Sequence, residues 1–179
     1  MMPSRADVET ESWTFALDIY AKPGVADACL KLQNEAGVDV MILLMVTYAA
    51  VKHGILLTCE AITELDEACR PWREQIVQPL RAMRSGLKSG PLPAPSRQTE
   101  QFRSKVKSLE LAAERLQNRL LAECLPLEPR PKAAVGRKNL RSVLEIVVTL
   151  FVERRENGSI AGLLSPIDLI VDAAMQGAN

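Results

Sequence analysis

The run VMILLMVTYAAV, residues 40–51, decides the fold, because it is the longest uncharged apolar stretch in the chain. A bilayer span needs about twenty such residues, so no membrane span is expected and the run is a buried core helix. Asp39 stands just before it, where a carboxylate accepts hydrogen bonds from first-turn N–H groups. Gly54 follows His53, where a left-handed residue stops a helix. The spacing predicts a central apolar helix over 40–53, dry on every side, with other helices assembled around it.

Upstream, LQNEAGVD (32–39) crowds Gln33, Asn34, Glu35 and Asp39 at the entrance of that helix. One reading makes them a helix end, a turn and a cap. The other has Gln33 and Asp39 line a polar ligand pocket with Asp18, Tyr20 and Arg73, since buried polar groups need partners or a ligand. Both readings stay open on the sequence.

Working outward, a helix is expected over 12–21, with Trp13, Leu17 and Tyr20 on one stripe, ended by Lys22-Pro23-Gly24. Residues 1–11 are expected to be a flexible lead. A second helix covers 25–36 and stops at Gly37. Thr58 caps a helix over 59–70, and Pro71 opens another over 72–87, the two forming one kinked rod. Glu60, Glu64 and Glu67 make an acidic stripe on the first of these, and Arg81, Arg84 and Lys88 a basic stripe on the second. Both stripes are placed outside, where they can pair.

Two proline-rich connectors, 89–98 and 125–137, flank a long helix over 99–124. In it Phe102, Val106, Leu109, Ala113, Leu116 and Leu120 follow a heptad spacing. That seam either faces the core or zips to a second subunit. Asn139 caps a helix reaching about residue 156; its run IVVTLFV is strand-like, but a lone strand would leave its backbone unpaired. Ser165, Pro166 and Asp168 read as the start of a last helix that ends near Gly177. The expectation is an all-α, single-domain bundle over 12–179, with about seven to eight helices.

The chain has 179 residues, of which 22 are basic and 22 acidic, so its formal charge is zero. The balance is uneven along the chain. Residues 1–69 hold 4 basic and 11 acidic side chains, and residues 70–155 hold 18 basic and 8 acidic. Such blocks are expected to meet within one folded molecule or between two copies, in preference to nucleic acid, because the basic block lacks interleaved aromatics. A helix-turn-helix over 25–44 fails as well, since its second helix has no side chain able to touch base edges.

Four scattered cysteines and a single histidine, His53, give no zinc spacing, no nucleophilic triad and no paired Glu-x-x-His motif. No glycine-rich loop opens a helix after a strand. No catalytic residue, metal or cofactor is therefore assigned. The polar, acidic start lacks a signal peptide's apolar run, which places the protein in the cytoplasm with reduced thiols.

Three runs carry a resemblance: WTFALDIYAKPGVADACLKLQNEAGVDVMILLM (13–45), WREQIVQPLRAMRSGLK (72–88) and ELAAER (110–115). Together they resemble an uncharacterised bacterial family of short helical proteins, a domain of unknown function. Beyond residue 125 the similarity is weak, and Met41 stands where that family commonly carries Asn. The resemblance implies an all-helical fold and assigns no activity. The leading functional expectation is a non-catalytic cytoplasmic interaction or regulatory module whose partner is another protein or a second copy. The alternative is a small-molecule or lipid binder, enzymatic or not, using the pocket near 33–39.

Overall fold

A computed structural model describes residues 4–127, 134–155 and 158–176. Its regular structure is helical throughout the described residues: α1 (Arg5–Tyr20), α2 (Val25–Ala36), α3 (Val40–His53), α4 (Cys59–Trp72), α5 (Gln78–Gly86), α6 (Arg97–Cys124), α7 (Arg137–Val152) and α8 (Leu164–Met175). A π turn, Arg73–Val77, joins α4 to α5 without a break, and a 3-10 turn, Ala161–Leu163, leads into α8.

The apolar run is the axle of the bundle. Residues 41–50 are all buried, and α1, α2, α4, α6, α7 and α8 each pack against α3. Each buried Leu, Ile or Val side chain contributes about 1.5–3 kcal/mol by leaving water. Asp39 caps α3 as expected: its Oδ1 accepts from the N–H of Met41 at 2.8 Å and of Ile42 at 3.3 Å. Gly54 closes the helix with φ 67°, a left-handed conformation that costs a residue without a Cβ least. Thr47, deep in the axle, donates its hydroxyl to the Leu43 carbonyl at 2.7 Å. The α2–α8 and α7–α8 pairs close one side of the bundle, and α1, α4 and α5 lie along α6 on the other.

Several boundaries differ from the sequence reading. Helix α1 begins at Arg5, because Ser4 and Asp7 form a reciprocal capping box. Residues 5–11 are thus helical, not a loose lead, and Val8 belongs to the core. The inward stripe of α1 is Val8, Ser12, Phe15 and Ile19, while Leu17 and Tyr20 turn outward. Pro71 lies within α4 and not at the start of a new helix. Ser96 and Thr99 cap α6 at Arg97, two residues earlier than expected. Helix α7 starts at Arg137 with Gly136 and no side-chain bond at its cap, so Asn139 is inside it. Ser165 likewise lies inside α8 and not at its cap, while Asp168 accepts from Arg137 and Arg141. The strand-like run of α7 is helical, with Val147, Val148, Phe151 and Val152 buried. Helix α7 ends at Val152, short of the expected end near residue 156, while the Gly177 stop and part of the second connector lie outside the described residues.

Candidate functional site

The polar interior lies where α6 crosses the α4–α5 rod. Arg73, the first residue of the π turn, is 7% exposed and carries the network. Its Nη1 donates to Asp39 Oδ2 at 3.0 Å and to Asp66 Oδ1 at 2.7 Å. Gln117 of α6 donates to the same Asp39 oxygen at 2.6 Å. The other Asp66 oxygen accepts from Arg70 at 2.7 Å and pairs with Arg154 at 2.7 Å. The ring of Phe151 lies 5.6 Å from the Arg73 guanidinium and 5.2 Å from that of Arg154, adding cation–π attraction. π turns inside helices recur at functional positions, and this one holds its arginine against two carboxylates.

A second cluster continues along α5 and α6. Arg81 donates to Glu110 at 2.9 Å, to Glu114 at 2.6 Å and to Gln33 at 2.7 Å. Arg84 also bonds Glu110. The expected external pairing of the α4 glutamates with the α5 arginines therefore does not form. Glu60, Glu64 and Glu67 stay exposed, and Arg81 and Arg84 turn to α6.

Electrostatics follow from the packing. Burial alone would raise the Asp66 carboxyl, but hydrogen bonds from Arg70, Arg73 and Arg154 outweigh it and hold it below the ordinary aspartate range. Glu110 is buried too, and Arg84 and Arg81 hold it low in the same way. Glu114 goes the other way: burial raises it, and Arg81 does not compensate fully. The Cys69 thiol, beside Gln117 and Arg73, is pushed up to about 12 by burial and by Asp39 nearby. It is a protonated core thiol and a poor nucleophile.

A smaller cluster tethers α1 to the end of α3. The buried Tyr48 hydroxyl donates to Glu11 at 3.0 Å, and His53 Nε2 lies 2.9 Å from the same oxygen. Burial, with the Glu11 bond, raises the Tyr48 phenol further above its usual range.

Among the described residues no buried side-chain nitrogen or oxygen lacks a hydrogen-bond partner. The charged seam thus fastens helices to one another, and its arginines are engaged by internal carboxylates. Of the five residues expected to line a pocket, Asp39 and Arg73 meet directly, and Gln33 joins the neighbouring Arg81 cluster. Tyr20 is 39% exposed, close enough to Arg81 and Glu114 to feel their charges. Asp18 is exposed, and no hydrogen bond joins it to the other four. Sequence reasoning missed Asp66, Glu110, Gln117 and Arg154. The spacing of Glu110, Ala113 and Gln117 on α6 was the available signal, a stripe of polar and small residues at helical period.

The same helix carries the correction to the heptad seam. Val106 and Ala113 are buried as expected, and Leu120 is partly buried. Phe102, Leu109 and Leu116 are 52%, 59% and 53% exposed. The inward face of α6 is Val106, Glu110, Ala113, Gln117 and Leu121, a face whose hydropathy is diluted by the network. The six-residue apolar pattern therefore straddles the boundary between core and solvent. With Lys105, Ala112 and Arg119, all exposed, the three outer residues complete an outward stripe at alternating steps of three and four. From Phe102 to Leu116 it runs about 21 Å at helical rise.

A family model described as a protein of unknown function, DUF2390, matches residues 11–121. That is most of the chain and takes in all three runs that carried the resemblance, so the protein belongs to this family. No curated protein matches the chain, and no solved structure does.

Proposed function

We propose that this member of the DUF2390 family is a non-catalytic helical module that binds another protein through the outer face of α6. The exposed stripe of Phe102, Leu109 and Leu116 carries this reading, because half of a heptad pattern on a 28-residue helix is left in solvent while the polar interior is internally satisfied. A reducing compartment such as the cytoplasm suits the four free thiols, two of them exposed. No helix among the described residues is long and apolar enough to cross a membrane. A photo-crosslinking amino acid at position 109 tests the role in cells, with position 64 on the exposed acidic face of α4 as control. Discrete protein adducts from 109 and none from 64 are expected; indistinguishable patterns would overturn the reading.

A further inference from the structure

We infer that the partner segment is an acidic amphipathic helix, laid along the Phe102–Leu109–Leu116 stripe. The inference rests on the docking role proposed above and specifies what docks. It follows from how α6 distributes its charge. Glu110 and Glu114 are turned to Arg81 and Arg84 of α5, so they are consumed inside the bundle. Glu100 pairs with Arg103, and Glu123 with Arg119 at the far end of the helix. Lys105 and Arg115 are exposed, and no ion pair among the described residues engages either. Lys105 and Arg115 therefore border the apolar line as unengaged cations, while Arg119 at its far end is already paired with Glu123 and Glu9.

The geometry favours a helix over other occupants. One large apolar side chain every seven residues, flanked by charge, is the pattern that receives an a/d stripe from a second helix. An interfacial membrane helix needs a broad face of large apolar side chains, whereas here Phe102, Leu109 and Leu116 are separated by the charged Lys105 and the small Ala112. Single-stranded nucleic acid needs stacking rings, and Phe102 is the single aromatic on the stripe. A second copy of α6 would bring the unengaged Lys105 and Arg115 against the same cations of its twin, and like charges across a helical seam repel. Glutamates flanking the apolar positions of the incoming helix would pair with Lys105 and Arg115 and give association a marked salt dependence.

Two labelled 21-residue helical peptides test this, both with Leu at the a and d positions, one with Glu and one with Lys at the flanking positions. Fluorescence anisotropy against the full chain is expected to show the glutamate peptide binding at least tenfold more tightly, and weakening as salt is raised. The double variant K105E/R115E should invert the preference while keeping the wild-type circular dichroism and melting temperature. Equal binding of both peptides, or of neither, would overturn the assignment. So would retention by phosphatidylserine vesicles or duplex DNA in place of the peptide, or a wild-type dimer abolished by L109K. A chain that crosslinks from position 109 in cells yet ignores the glutamate peptide keeps its docking role and loses this partner; one that does neither loses both.

Discussion

Asp39 and Arg73 are 34 residues apart in sequence and 3.0 Å apart in the interior, and the aspartate serves two structures at once. One carboxylate oxygen caps α3, and the other neutralises the arginine that opens the π turn. Punctuation and buried cluster are the same residue. Replacing Asp39 with Ala should therefore cost more than the roughly 1 kcal/mol of a lost cap, because it also removes one of the two carboxylates that face Arg73 and leaves Asp66 as the other. Asp39→Asn keeps a cap acceptor and should fall between wild type and Ala. Urea unfolding monitored by circular dichroism measures both.

Acid should loosen the bundle. Asp66 and Glu110 are held below their ordinary values of 3.8 and 4.5. Each therefore binds its proton more weakly folded than unfolded, and its stabilisation is full above the unfolded value and lost as pH falls through the folded one. Unfolding free energy is expected to drop progressively below about pH 4.5. Glu114, raised by burial, works in the opposite sense: the folded chain takes up that proton first, so its own contribution rises as pH falls through the raised value. Asp66→Asn should lower stability at neutral pH and flatten the acid limb, as read from urea midpoints between pH 3 and 7.

Tyr48 separates packing from hydrogen bonding. Its ring packs edge-on against Phe15 at 5.7 Å, while its hydroxyl joins Glu11 and His53. Tyr48→Phe keeps the ring and should cost about 1 kcal/mol. Tyr48→Ala should cost about 3–5 kcal/mol by opening a cavity beside the axle. Thermal melts of the two variants give the comparison.

The two faces of α6 should respond differently to truncation. Leu121 is wholly buried, and Leu121→Ala is expected to cost about 2–5 kcal/mol. Leu109→Ser and Leu116→Gln sit on the exposed stripe and should stay within about 0.5 kcal/mol of wild type. Equal losses on both faces would show that the outer stripe is covered within the folded chain.

Gly37 is fixed twice over. Its φ of 70° is left-handed, and a Cβ there would stand 2.8 Å from the Arg155 guanidinium, which bonds the Asn34 and Glu35 carbonyls. Gly37→Ala should destabilise the fold by about 1 kcal/mol or more and release Arg155, visible as a lowered melting temperature.

Local chemistry made the helices legible. The uninterrupted apolar run, the Asp39 and Thr58 caps and the Gly37 and Gly54 stops each act within one turn of backbone, and each stands where the residues indicate. The inward face of α6 was less legible, because hydropathy sees Leu109 and Leu116 and passes over Glu110 and Gln117. Those two are buried only because Arg81, Arg84 and Asp39, from other helices, meet them there. Asp66 was hidden for the same reason: Arg70 of its own helix, Arg73 of the π turn and Arg154 just beyond α7 satisfy it, and no short window of sequence contains all three. The start of α1 was obscured by its polarity, since one Val8 and a Ser4–Asp7 box anchor a segment that composition alone marks as loose.

The underwound turn at Arg73–Val77 also sets a counting rule for the long α4–α5 rod. Cys69, Arg73, Val77 and Arg81 follow one another at four-residue steps along the side that meets α6. In an unbroken α-helix each such step overshoots a full turn by about 40°, so the last of the four would swing away from its partners. The wider loop from the Arg73 carbonyl to the Gln78 N–H absorbs part of that rotation. Length at this place is thus as constrained as identity: the turn accommodates one residue more than an α-helix would, so removing one residue there would restore ordinary helix with Arg81 still on the α6 side, whereas inserting one would rotate Arg81 and Arg84 about 100° away from Glu110.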